Sequence, residues 1–309
     1  MRSSILLIPL IAYVQLSASP YPIEPHPLRM LVIESPYIIT GRVIGIKVDK
    51  RKNSGYHYAR IKISEVLQGA IGDEVIEVSY NPQAICPAPP HYEAGTDVIV
   101  FLKKERGSYY TYALSYGVKT LSLPEIYIYK QRIVEMQQIL KIENADKKFM
   151  ETIEWLVKCA EHPVTRWEGT FELSPESDFM SFYSRSEKHP YQYMLSKQQK
   201  DRLKAALFAN QEATYSDLGL VDVVFPEHPE EVHVYLLKTL KQMKPEQLWY
   251  ADEYMRRVLY TINGPALDRL IEQFSEKRFD HAKRDELRSI VNEFVALVEA
   301  EEGKPPFKE

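Results

Sequence analysis

The chain has 309 residues, 45% of them hydrophobic, and a formal net charge of −4. That length allows two ordinary domains, and that apolar content excludes intrinsic disorder. The acidic balance argues against a nucleic-acid binder of the usual basic kind and gives no attraction to an anionic membrane surface.

The N-terminus reads MRSSILLIPLIAYVQLSASP. Arg2 supplies a positive start, Ile5 to Leu16 is an uncharged, mostly apolar run, and the small residues Ser17, Ala18 and Ser19 follow. This layout predicts a secretory signal peptide over residues 1–18, cut after Ala18. The run falls well short of the roughly 20 residues that a membrane helix needs, and no later stretch is long and apolar enough. The expected product is secreted or periplasmic, without a membrane span.

From Tyr37 to about Tyr116 the pattern has period two. YIITGRVIGIKV, YHYARIKISEVL, EVIEVSY, DVIVFLKK and SYYTYALSY predict five strands, joined by short turns except for one long loop. DVIVFLKK is apolar on both faces, which predicts a strand covered on both sides. The simplest arrangement is a small antiparallel barrel, closed or nearly so. Gly41 and Gly45 stand an even number apart. Strict alternation places both on one side of the first strand, where they relieve crowding as it coils.

After Pro124 the period changes. Phe149, Ile153, Leu156, Val157 and Ala160 lie on one helical stripe, ended by Pro163. Residues 163–195 read as an irregular junction segment. Ser196 with Gln199 makes a capping box before Leu203, Ala206 and Leu207. Pro229 opens a helix, Pro245 opens another carrying Leu248, Met255, Val258 and Leu259, and Gly264–Pro265 breaks it and starts a shorter one. A last helix runs from about Asp280 to Glu301. The expectation is an α+β chain: a five-stranded antiparallel β-barrel over residues 19–123, then an all-α domain of stacked helical hairpins over 124–309.

The segments SPYIITGRVIGI, ARIKISEVLQGAIGDEVIEV and EAGTDVIVFL, with Cys86, resemble the netrin-like modules. These share the oligonucleotide/oligosaccharide-binding (OB) type of barrel with tissue inhibitors of metalloproteinases. The resemblance covers residues of about 30–120 and implies an OB-like fold. Inhibitors of that family hold the protease's zinc through a cysteine at the mature N-terminus. Here Ser19, Pro20 and Tyr21 follow the expected cut, and only Cys86 matches a family cysteine. The resemblance therefore carries the fold and not the inhibitory mechanism. The helical half resembles exported bacterial proteins without an assigned activity more than any enzyme.

Chemical motifs are sparse. Cys86 and His91, and Cys159 and His162, match no zinc-finger spacing, and no metal or cofactor is expected. Export permits a disulfide between Cys86 and Cys159, with free buried thiols as the alternative. His228 and His233 are too far apart in the helix to share a face as zinc-binding HExxH histidines do. There is no G-x-S-x-G, Walker loop or G-x-G-x-x-G, so no catalytic residue is assigned and an enzyme is not expected.

Binding candidates remain. The loop NPQAICPAPPHYEAG is long, proline-rich and apolar, and offers Pro87, Pro89, Pro90, His91 and Tyr92. Alternation places Tyr110, Tyr112 and Tyr116 on one face, which suits stacking on sugars or peptides as well as ordinary strand packing. Trp167 and Phe171, with Phe179, Phe182 and Tyr183, either seal the barrel to the helices or line a groove between them. The sequence thus predicts an exported, non-enzymatic binding or scaffold protein with a protein, peptide or glycan ligand. Its rivals are a protease inhibitor acting through the 81–95 loop and a hydrolase with a site at the domain junction. The oligomeric state is left open.

Overall fold

The computed structural model of the chain describes residues 25–49, 55–83, 88–174, 191, 194–210, 212 and 214–302. The expected signal peptide, the hairpin tip at 50–54, Cys86, Pro87, Phe179, Phe182 and Tyr183 lie outside the described residues.

Six strands follow one short helix: α1 (Leu28–Glu34), β1 (Tyr37–Val48), β2 (His57–Gln68), β3 (Val75–Tyr80), β4 (Asp97–Glu105), β5 (Ser108–Thr111) and β6 (Val118–Thr120). β1 pairs antiparallel with both β2 and β4, β2 with β3, and β4 with β5. β3 and β5 run parallel through Val78–Tyr109 and Ser79–Tyr110, which closes a five-stranded barrel. The barrel is therefore mixed rather than wholly antiparallel. The long 81–96 connection delivers β4 to the far side of β1, and the β4–β5 hairpin then returns β5 alongside β3 in the same direction. β6 continues the sheet on β4.

The register of β1 explains its glycines and corrects one expectation. Val43 pairs with Ile61 and Gly45 with Arg60, so Ile44 is left over as a bulge. Alternation is broken there, and the two glycines do not share a face. A Cβ on Gly41 would collide with the Lys62 carbonyl and the Ile61 side chain, whereas space around Gly45 is open.

β4 is covered on both faces, as its sequence requires. Val98, Val100 and Leu102 join Ile39, Val43, Ala59, Ile61 and Val78 inside the barrel. Ile99 and Phe101 face the other way, into a second core with Leu28, Leu31, Ile38 and the helices. That second core continues through Trp155 and Leu236 to Phe294. α1 is an unforeseen helix ahead of the barrel. It starts after Pro27 with no side-chain cap, and the burial of Leu28, Leu31 and Val32 holds it in place.

The change of period near Pro124 is observed. α2 (Leu123–Leu140) opens with a Ser122–Glu125 capping box, and α3 (Ala145–Glu161) with Asn144 accepting the Lys147 N–H. α4 (Arg166–Leu173) corrects the irregular reading of 163–195, since part of that segment is a buried helix. Gly169 permits it: a Cβ there would collide with the backbone of Leu156 and Ala160, so α4 crosses α3 at close range. α5 (Lys197–Phe208) has the expected Ser196–Gln199 capping box. α6 (Leu218–Val224), α7 (Pro229–Gln242), α8 (Ala251–Val258), α9 (Pro265–Lys277) and α10 (Arg284–Glu302) complete the chain. Pro245 opens a 3₁₀ turn, Pro245–Tyr250, ahead of α8 rather than an α-helix. The helices pack as consecutive pairs, with α3 against α5 and α4 against α6. Among the described residues, no helix is long and apolar enough to cross a membrane.

Candidate functional site

Two concave surfaces and one sealed junction carry the chemically interesting side chains. The first surface is a cleft of about 540 Å³ at the mouth of the barrel. Tyr56 enters it from just before β2, Ser79, Tyr80 and Asn81 from the end of β3, Tyr110 from β5 and Tyr112 from just beyond it. His26, Met30 and Glu34 close it from the α1 side. These elements meet because β5 lies beside β3, an arrangement that the parallel pairing creates.

Tyr112 does not continue β5. The strand ends at Thr111, and Ala113 and Leu114 both take positive φ, near 53° and 52°. The chain turns sharply, which separates Tyr116 from Tyr110 and Tyr112. The Tyr112 phenol donates to Glu34 at 2.7 Å, and Glu34 lies 3.2 Å from His26 Nε2. Desolvation, reinforced by the adjacent Glu34 carboxylate, pushes the Tyr112 phenol up to about 12. The expected face of Tyr110, Tyr112 and Tyr116 is thus divided: two rings go to the mouth and one to the junction.

The described part of the 81–95 loop forms part of this wall. Pro90 is buried and lines the cleft, Pro89 is half-buried and His91 is exposed. Tyr92 is buried, with its ring on Tyr80 at 5.0 Å and its phenol hydrogen-bonded to Thr111. Burial pushes the Tyr92 phenol up, so it stays neutral and serves as a packing residue.

At the junction, Trp167 stacks on Tyr116 with centroids 5.8 Å apart and planes 11° apart, and Phe171 tilts against Trp167 at 5.4 Å. The Lys119 ammonium lies 5.6 Å from the Trp167 ring and donates to Glu168 at 2.7 Å. Glu168 also accepts from the Tyr129 phenol at 2.9 Å and from the Leu28 main-chain N–H at 2.7 Å. One turn later, Glu172 receives Arg29 at 2.7 and 2.9 Å. Aromatic rings and paired charges fill the junction around Trp167 and Glu168.

Cys159 is a free thiol with 0% exposure on the core side of α3, and burial pushes it well up. Its expected partner, Cys86, lies outside the described residues. His162 caps the next turn by accepting the Val164 N–H and is shifted down by burial, then by Arg132 and Arg166. Among the described residues, no group of three or more His, Cys, Asp or Glu is placed to hold a metal ion.

The second concave surface is a groove of about 850 Å³ between the end of α5 and α7. Phe208, Tyr235 and Met243 line it, and a Lys244–Glu212 ion pair of 2.6 Å lies at its edge. Its lining mixes both charges with amides and has no cluster of rings comparable to the mouth.

The helices are tied by paired ions that the sequence did not reveal. Arg166 on α4 meets Asp217 just before α6, both fully buried. Asp222 on α6 receives Arg257 on α8 in a two-pronged bond, 2.8 Å on each side. Asp252 on α8 receives Arg278, at the end of α9, at 2.7 Å. These acids and bases hold helix pairs in register.

The mouth residues His26, Glu34, Tyr56 and Tyr80 also escaped the sequence reading, whereas Asn81 opens the 81–95 loop that it offered. Each sits at an element end, where periodicity is silent. Only the strand order brings them together. In comparisons with known proteins, the chain matches no family profile and no curated protein.

Proposed function

We propose that the chain is an exported, non-enzymatic binding protein that holds its ligand at the mouth of the barrel. The observation that carries this reading is the cleft of about 540 Å³ into which Tyr56, Tyr80, Tyr110 and Tyr112 project. Its size falls in the range of small-ligand and peptide sites, and tyrosines give broad contact area at low entropic cost. The reading of export rests on the leader pattern of residues 1–18.

The filled junction weighs against a hydrolase. Glu168 and Glu172, the carboxylates nearest to that description, are bound to Leu28, Lys119, Tyr129 and Arg29. The burial of Tyr92 against Tyr80 and Thr111 weighs against a protease inhibitor acting through the 81–95 loop, because this side chain is engaged within the barrel.

The test is a thermal-shift screen of the purified protein against peptide and glycan collections, beside a panel of proteases. Ligand-induced stabilisation that Tyr110→Ala abolishes is expected. Protease inhibition at micromolar protein, or stabilisation indifferent to Tyr110, would reject the assignment.

A further inference from the structure

Resting on the reading of the mouth as the ligand site, we propose that its ligand is a short neutral saccharide held through its hydroxyl groups. Three wall residues stand side by side on neighbouring strands: Ser79 on β3 pairs with Tyr110 on β5, and Tyr110 with Lys103 on β4. Cross-strand partners project from one face of a sheet, and all three line the cleft. Asn81, two residues beyond Ser79, and Glu34, on α1, extend this polar array. Ser79 is only 5% exposed, yet its hydroxyl has no partner among the described residues. The Tyr110 phenol and the Asn81 side-chain NH₂ are likewise unengaged among them. Both contacts to Glu34 fall on Oε2, which leaves Oε1 to accept.

The array mixes three kinds of group. Glu34 Oε1 accepts, the Asn81 amide nitrogen and the Lys103 ammonium donate, and the Ser79 and Tyr110 hydroxyls do both. A hydroxyl on the ligand satisfies any of them, because it both donates and accepts. A peptide amide has a fixed polarity at each point, so a carbonyl set against Glu34 or an N–H set against Lys103 goes unpaired. Extended peptides also draw main-chain bonds from an open strand edge. The array has none at its centre. β3 is paired at Ser79 with both Tyr58 and Tyr110, and β5 at Tyr110 with both Ser79 and Lys103. These strands therefore address the ligand through side chains, and the tyrosine rings offer flat apolar faces to the C–H side of a sugar ring. Lys103 is paired with Glu105 at 2.7 Å, and Glu34 is bonded to Tyr112 and His26, which favours an uncharged ligand.

The experiment is isothermal titration calorimetry of the whole chain with neutral trisaccharides of glucose, mannose and N-acetylglucosamine. Their permethylated forms, whose oxygens accept but cannot donate, and a pool of uncharged hexapeptides serve as the other arms. Saturable binding of a trisaccharide is expected, weakened about tenfold or more by permethylation or by Tyr110→Ala. Tyr110→Phe and Ser79→Ala each remove one hydroxyl and are expected to weaken it about two- to tenfold. Unchanged circular dichroism of each variant excludes misfolding as the cause. Equal binding of the permethylated form overturns recognition through hydroxyls. Binding of the peptides instead, lost in the same variants, overturns the saccharide class while the mouth survives as the site. Trisaccharide binding indifferent to all three variants overturns the mouth itself. No binding of any trisaccharide overturns the proposal.

Discussion

The carboxylate of Glu168, on a helix of the C-terminal half, accepts the main-chain N–H of Leu28, which starts the helix ahead of the barrel, at 2.7 Å. The same carboxylate pairs with Lys119 on β6. One side chain therefore joins three segments remote in sequence. Removing it leaves a buried N–H and a mostly buried ammonium without their acceptor. Glu168→Ala is expected to cost about 3–5 kcal/mol. Urea denaturation followed by fluorescence measures this, and a loss below 1 kcal/mol would contradict the buried pairing.

Asp252 offers a pH test with a defined sign. It is 1% exposed, its Oδ2 takes Ser275 and Arg278, and its Oδ1 has no partner among the described residues. Burial raises its pKa more than Arg278 lowers it. A folded-state pKa above the unfolded one means that this group's stabilising contribution is full below the unfolded value and is lost as pH rises through the folded value. Asp252→Asn cannot ionise. Its stability relative to the parent is expected to improve as pH rises from about 4 to 7. Paired urea curves at several pH values check this, and a relative trend in the opposite direction refutes it.

The two glycines of β1 separate by substitution. Gly41→Ala drives a methyl group into the Lys62 carbonyl, a rigid neighbour, and is expected to destabilise by about 1–3 kcal/mol. Gly45→Ala enters open space and is expected to change stability by less than about 1 kcal/mol. Melting temperatures of the two variants decide the matter.

Cys159 is buried and its thiol is held protonated, so it should be inert in the native protein. Reaction with a disulfide reagent at pH 8 is expected to be slow before denaturant is added and fast afterwards. Rapid labelling of Cys159 in the folded state, located by mass spectrometry, would contradict its placement on the core side of α3.

Much of the architecture was legible in the sequence, and the reasons are local. β4 declared its double burial through DVIVFL, and Ser196–Gln199 and Pro229 marked their helix starts by capping chemistry. What failed depends on distant partners. LRMLVIE gives no capping signal, and α1 is held by packing on α2 and by Glu168. α4 looks irregular because its apolar face is interrupted by Arg166, Glu168 and Glu172, whose charges are matched only in three dimensions. The parallel pairing of β3 with β5 has no sequence mark, and the mouth depends on it. The bulge at Ile44 overrode a parity argument that was sound for an unbroken strand.

The three arginine–aspartate contacts, Arg166 with Asp217, Asp222 with Arg257 and Asp252 with Arg278, also limit how this molecule can diverge. Excising the α5–α6 hairpin would take Asp217 from Arg166 and Asp222 from Arg257 at once, both in a dry interior. Duplicating that hairpin would leave two surplus aspartates, second copies of Asp217 and Asp222, without their arginines. Open-ended helical arrays grow and shrink by whole units, but here the stack is keyed end to end and its length is locked. Variation among descendants of this chain should accumulate in the connections and at the barrel mouth, while the number of hairpins stays constant.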